Sequence, residues 1–369
     1  MKKNISMILA VAMLIGMLAG CSGSKPEASS AAAPAPTASA ASEAASDAAA
    51  PAPEGQILVR IATQMAADNN TTIAMNVFGD YVMEKTNNAI KVEVYPNSQL
   101  GAEDIVMQQV LTGTLEMSPI SSAVLSTVVP EVNIFSFPFL FNDLDTYIDM
   151  CWDEGFRERI FNAVEERTGC KTLGFTIGIG RGVSNTKREI RTVDDMKGLK
   201  IRTIGSPIII DTFNSFGATA TNVPWKEVYT ALQQGLVDGE DSSVIANLDQ
   251  KFIESNKFYT QLDTMFQNHL LVVSSELWNK LTPEQQQIFV EAGVKADEYG
   301  FECSRTDIKD SYERAAKEYP DFKITSDLTP EEKQTFVDAC RPVWDKYKPE
   351  VGEDLFNYTY DLMQKMVKK

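Results

Sequence analysis

From residue 57 onward the spacing of apolar positions switches repeatedly between two and about 3.6 residues, the mark of alternating strands and helices. ILVRIATQ (57–64) interleaves apolar and polar residues and predicts a strand. Asp68-Asn69-Asn70 supplies a turn and a helix cap, and TTIAMNVFGDYVMEKT (71–86) then carries apolar residues at helical spacing. AIKVEVYP (89–96) alternates strictly, a second strand stopped by Pro96 and Asn97. Residues 104–111 predict a helix and LEMSPIS (115–121) a third strand. This succession opens a doubly wound α/β lobe, in which ligands sit at the carboxyl ends of strands. Gln64 and Ser121, at two such ends, fall on the lobe's rim.

VNIFSFPFLF (132–141) is aromatic-rich, is interrupted by Pro138, and reads as core or hinge packing. Residues 144–168 read as one helix, and CKTLGFTIGIG (170–180) as a strand that delivers Arg181. TVDDMKGLKIRT (192–203) predicts a short helix feeding a strand. In that strand Leu199, Ile201 and Thr203 share one face, while Lys200, Arg202 and Ile204 share the other. SPIIIDTFNSFG (206–217) is helical and closes on Gly217. A helix follows Pro224 and ends at Gly235. VDGEDSS (237–243) reads as a connector and KFIESNKFYTQ (251–261) as helix. These elements make a second α/β lobe.

HLLVVSS (269–275) is apolar enough for a buried strand returning to the first lobe. Residues 281–319 form one helical pattern, capped by Thr282 with Pro283 at its first position. At ~1.5 Å per residue such a helix exceeds ~40 Å, longer than one lobe, so it should cross both. Two more helical patterns complete the chain. The expected lobes are 56–178 with 268–306, and 179–267 with 307–369.

The first 55 residues differ in kind. Lys2 and Lys3 precede the apolar run Ile5–Gly20, which reads as a secretory signal over 1–20 and is short of the ~20 residues a membrane span needs. The run ends in LAGC, and small residues just before Cys21 resemble the lipobox of bacterial lipoproteins. The resemblance implies an acylated Cys21, and an exported protein anchored to the outer face of the cytoplasmic membrane without spanning it. Residues 22–55 hold no large apolar side chain and read as an Ala/Pro/Ser-rich tether within 21–55.

The chain's formal charge of −17, which loss of Lys2 and Lys3 would take to −19, argues against nucleic acid as a partner. It leaves room for a local basic pocket. Cys151, Cys170, Cys303 and Cys340 are separated by 19, 133 and 37 residues, which fits no zinc spacing, and no metal or other cofactor is expected. Cys151 and Cys170 either pair as a disulfide, which export permits, or remain thiols.

Several stretches carry a resemblance to a known family. They are GRGVSNTKREI (180–190), DMKGLKIR (195–202), GATATNVPWKEVYTALQQGLVDG (217–239), Asn268-His269, and WNKLTPEQQ (278–286). Together with VEVYPNSQLG (92–101) and FSFPFLF (135–141), they resemble the extracytoplasmic solute receptors of TRAP transporters, the DctP type, over residues 57–345. The resemblance implies a two-lobed periplasmic-binding-protein clamshell of α/β class, with connecting strands and a long helix spanning both lobes. It implies an organic acid bound between the lobes, delivery to small and large membrane subunits, and ion-gradient-driven uptake. A monomer is expected.

By the same resemblance Arg202 forms the salt bridge to the ligand carboxylate, Arg181 is the family's preceding arginine, and Trp225 is the aromatic before EVY. The chemistry agrees, because a guanidinium offers paired N–H donors matched to two carboxylate oxygens. Gln64, Ser121 and Asn222 join the candidate set. Two departures bear on it. Glu240 stands where the family usually has Gln, and Ser242 where it has a ligand-bonding Asn. If Glu240 faces the cleft, a ligand with a donor group suits it; if it faces solvent, the change is silent. Ser121 stands where acid-sugar receptors carry Glu, which weakens a sialic-acid reading.

Three rivals remain. A receptor of an ABC importer would share the clamshell but break the 281–319 helix into lobe-local pieces. A sensory binding protein is also open. An exported enzyme is remote: the single histidine, His269, reads as a structural hydrogen-bonder, and no G-x-S-x-G, P-loop or GxGxxG stands at a strand–helix junction.

Overall fold

The computed structural model describes residues 55–141 and 143–366; the expected leader, Cys21 and the tether through residue 54 lie outside the described residues. The first lobe opens as the periodicity predicts: β1 (Ile57–Ala62), α1 (Asn70–Lys85), β2 (Ile90–Tyr95), α2 (Glu103–Leu111) and β3 (Met117–Ser121). Asn69 caps α1 by accepting from the Thr71 amide at 3.0 Å. A short helix α3 (Ser122–Leu125) and a 3-10 turn (Pro130–Ser136) follow. Phe135, Phe137 and Phe141 are buried in the core, as the aromatic run implies.

The single helix expected over 144–168 is two, α4 (Leu144–Trp152) and α5 (Glu154–Thr168). They break at Asp153, whose carboxylate accepts from the Phe156 amide at 2.8 Å and so starts a new helix. A mid-pattern Asp competes for backbone donors, and here it wins.

Then come β4 (Lys171–Gly180), β5 (Gly182–Asn185), β6 (Lys200–Thr203), α6 (Pro207–Ser215) and β7 (Thr219–Asn222). Gly217 takes the left-handed conformation at φ +82° that ends α6. After a 3-10 turn at Trp225–Glu227 lies α7 (Val228–Gln233), shorter than expected. VDGEDSS is no connector: it contains β8 (Gly239–Ser242), a strand buried along its whole length. Next is α8 (Val244–Asp249). The helix expected over 251–261 is a 3-10 turn (Phe252–Glu254) and β9 (Phe258–Thr260). Pairing of β9 with β5 overrides its helical spacing. The chain closes with β10 (Phe266–Val273), α9 (Ser275–Lys280), α10 (Pro283–Glu318), β11 (Lys323–Thr325), α11 (Pro330–Val351) and α12 (Glu353–Met366).

Two sheets result. One has the order β2-β1-β3-β10-β4 and the other β11-β9-β5-β8-β6-β7. β10 lies antiparallel between β3 and β4, which accounts for its apolar run. The chain crosses between the sheets at Arg181 and again over 261–265. The crossings bond to each other: Arg181 N donates to Met265 O at 2.9 Å, and Thr264 N to Arg181 O at 3.3 Å. The 36-residue α10 is unbroken, packs on β4 and α1 in the first lobe, and runs on to α8 in the second. Thr282 caps it through a reciprocal pair with Gln285. α11 packs on α6, and α12 reaches back to α4 and α5. All four described cysteines are free thiols. Among the described residues, no helix is long and apolar enough to cross a membrane.

The fit of α10 on β4 depends on Gly293. A Cβ there would stand 2.6 Å from the Leu173 carbonyl oxygen, a backbone atom that cannot swing aside. Alanine gains about 1 kcal/mol of helix propensity over glycine, but overpacking costs ~1–3 kcal/mol. Gly293→Ala is therefore expected to lower the thermal midpoint; an unchanged or higher midpoint would show that α10 can retreat freely.

His269 on β10 is buried, and burial, with Arg181 adding to it, lowers its pKa to about 4 from 6.5. The unfolded chain then binds the proton that the folded chain refuses. This contribution is fully present above pH 6.5 and is lost as pH falls toward 4, up to about 3 kcal/mol. Melting curves of the ligand-free protein should fall more steeply over that window than those of His269→Gln. Parallel slopes would contradict the assignment.

Candidate functional site

Between the sheets lies a cavity of about 590 Å³. Arg202 enters it from β6, where it stands in register with Thr221 of β7 and Glu240 of β8. It is 3% exposed. Its Nε donates to the Val223 carbonyl at 2.9 Å, and its guanidinium lies 5.3 Å from the centre of the Trp225 ring. Among the described residues no carboxylate pairs with it, and its Nη1 and Nη2 make no hydrogen bond. Burial lowers its pKa to about 10, with Glu240 opposing and Arg181 adding. It remains cationic at neutral pH, a desolvated donor fork open to the cavity.

Arg181 is placed differently. It reaches the cavity wall from the crossover but is bound to Asp241: Nη2 lies 2.9 Å and Nε 3.1 Å from the carboxylate oxygens. Burial opposes its charge, Asp241 outweighs that, and the net pKa shift is upward. The two arginines therefore differ: the charge of Arg202 has no carboxylate partner among the described residues, and that of Arg181 is neutralised in place by Asp241.

Glu240 is also corrected. It is fully buried and does not line the cavity. Its Oε1 accepts from Ser184 Oγ at 3.0 Å, Ser242 Oγ at 2.7 Å and Asn247 Nδ2 at 2.7 Å; its Oε2 has no partner. Burial raises its carboxyl pKa against the pull of Ser242 and Arg202. It faces neither cleft nor solvent, because Ser184, Ser242 and Asn247 gather around its carboxylate. Ser242 lines the cavity, but its hydroxyl donates to Glu240.

Gln64, Ser121, Asn222 and Trp225 all line the cavity. Trp225 packs its edge on Phe252 at 5.2 Å, and its buried indole N–H has no partner. Ser121 Oγ caps α3 by accepting from Val124 N at 3.3 Å.

The cavity wall also holds residues outside the candidate set, among them Glu103, Lys226, Asn268 and His269. Glu103 starts α2 and accepts from the Ser121 amide at 2.6 Å; burial raises its carboxyl pKa, and the Ser121 amide, Gln64 and, least, Arg202 counter in part. Lys226 donates to the Ser98 carbonyl at 3.0 Å, joining the second lobe to the first. Asn268 and His269 line the wall from β10. His269 makes no side-chain hydrogen bond among the described residues, against its expected structural role. Strand ends and helix starts pointed to Glu103; a polar pair interrupting an apolar strand pointed to Asn268 and His269.

Residues 61–350 match the family model described as bacterial extracellular solute-binding protein, family 7, DctP. A solute-binding protein of Verminephrobacter eiseniae is 29% identical over 81% of this chain and 87% of its own. The C4-dicarboxylate-binding periplasmic protein DctP of Vibrio cholerae is 28% identical over 84% and 92%. A TRAP periplasmic solute-binding protein of Ralstonia eutropha H16, solved with (S)-2-acetolactate, superposes with a TM-score of 0.78 at 28% identity, covering 84% of this chain and 99% of that one. One from a Sulfitobacter species, solved with β-D-galacturonate, gives 0.77 at 25%, covering 82% and 99%. A two-lobed α/β clamshell, a guanidinium left free in its cleft, and a match across most of the chain agree: this protein belongs to family 7 of the bacterial extracellular solute-binding proteins, the DctP family.

Proposed function

We propose that the protein captures a small organic acid by its carboxylate in the inter-lobe cleft and hands it to the small and large membrane subunits of a TRAP transporter for ion-gradient-driven uptake. One observation carries this: Arg202 is desolvated, cationic and unpaired, with two donor groups open to the cavity. Such a charge is costly without a counter-ion, and a carboxylate supplies one with matching geometry. The acids held by the Ralstonia and Sulfitobacter relatives support the same chemistry.

In this reading Arg202 bonds the carboxylate, and Arg181, fixed by Asp241, adds positive field and braces the crossover. Trp225 covers the ligand's carbon skeleton. Gln64, Ser121, Asn222 and Glu103 offer polar contacts, while Glu240 and Ser242 support the wall from behind. The working lobes are 56–178 with 268–306 and 179–267 with 307–369, the last helix reaching back to α4 and α5. Closure excludes water, strengthens the ion pair, and is favoured because both lobes touch the ligand. The exported chain acts as a monomer, held at the outer face of the cytoplasmic membrane by acylated Cys21 and the 21–55 tether.

Arg202→Ala should weaken acid binding at least a hundredfold by calorimetry, the ~3 kcal/mol cost of a buried unpaired carboxylate. Arg202→Lys should lose at least tenfold, since an ammonium cannot make the paired contact. Undiminished affinity in both would remove Arg202 from the site. Cys21→Ser should shift the protein from the membrane fraction to the soluble exported fraction; retention at the membrane would refute the anchor.

A further inference from the structure

Resting on the carboxylate-capture reading, we propose that Asn268 selects the far end of the ligand, and that the ligand is a monocarboxylate bearing hydroxyl groups rather than a dicarboxylate.

Asn268 is 2% exposed and lines the cavity, yet neither Oδ1 nor Nδ2 has a hydrogen-bond partner. Leaving a buried donor or acceptor unmade costs about 1–3 kcal/mol, and here one amide leaves both. Its near polar neighbour is the Tyr147 hydroxyl, behind the wall, but no hydrogen bond of regular geometry joins them and the hydroxyl is itself unpartnered. An amide offers two donors and two acceptor sites, so even a bond to Tyr147 would leave most of them unused. The register of β10 against β4 slips between Phe266 and Asn268. Such an irregularity re-aims a side chain that a regular ladder would hold against its neighbours.

The charges around Asn268 set the ligand class. Of the cations on the cavity wall, Arg181 is neutralised by Asp241, and Lys226 keeps its charge but is engaged with the Ser98 carbonyl, which leaves Arg202 as the one guanidinium open to a carboxylate. The first-lobe wall carries the Glu103 carboxyl and the neutral Asn268 and His269. A second carboxylate beside Asn268 would be buried against the Glu103 acid, and no cation is bonded to Asn268 or His269 among the described residues to neutralise it there. Hydroxyl groups fit instead. One can accept from Nδ2 while its neighbour donates to Oδ1, and Glu103 can accept from another.

The test is calorimetry on the purified, exhaustively dialysed protein, with D-glucuronate and D-galactonate as polyhydroxy monocarboxylates and succinate as the dicarboxylate. Wild type should bind at least one of the first two at least a hundredfold more tightly than succinate. Asn268→Leu, close in volume but without polar atoms, should cut that ratio at least tenfold. Asn268→Ala, which only removes atoms, carries the same test if the leucine variant fails to fold. Succinate binding as tightly as the hydroxy acids, or a ratio unmoved by both substitutions, overturns the assignment. In either case loss of binding in Arg202→Ala would leave carboxylate capture standing. If none of the three acids binds, both readings fall together.

Discussion

A guanidinium taken out of water without a counter-ion is among the least comfortable groups a protein can hold, and Arg202 is such a group. One backbone carbonyl and one indole face attend it directly. The second sheet makes that tolerable. Glu240 stands in register on the adjacent strand and supplies negative field, but its carboxylate is turned toward Ser184, Ser242 and Asn247 and forms no salt bridge with Arg202. The attraction stabilises the cation while leaving its donor fork unoccupied. A carboxylate one bond nearer would have closed the site, as Asp241 does for Arg181.

The two arginines thus divide the work. Arg181 stands where the chain passes from one sheet to the other, and its backbone is tied to the second crossing. Pairing its side chain with Asp241 fixes β8 against that crossover, so the same contact that neutralises the charge also braces the hinge. The crossings and α10 connect the lobes covalently, while across the cleft itself Lys226 on Ser98 is a single, easily broken hydrogen bond. In the proposed function, an anion that touches both walls would favour the closed arrangement by its differential affinity.

The legible parts were those whose local pattern agrees with their tertiary setting. β1, β2, β3 and α10 follow from alternation, helical spacing and the Thr282 cap, and the family stretches led to Arg202 and Trp225. The illegible parts were those where partners overrule local preference. GEDS carries two acids and no large apolar residue, so nothing in it announces the buried interior strand β8. β9 keeps a helical spacing that its pairing with β5 defeats. Asp153 ends one helix and starts the next because its carboxylate finds a free amide.

By itself, then, the sequence determined the α/β class, the two lobes, the helix that spans them and the arginine in the cleft. Each of these is encoded by periodicity, caps or a contiguous stretch. Only the tertiary structure decided which charges are free. It mated Arg181 to Asp241, sixty residues away, turned Glu240 inward, and among the described residues left Arg202 without an ion-pair partner and the Asn268 amide without a hydrogen bond on the cavity wall. Whether a polar group is satisfied depends on atoms brought together from distant segments, and no pattern along the chain records those distances.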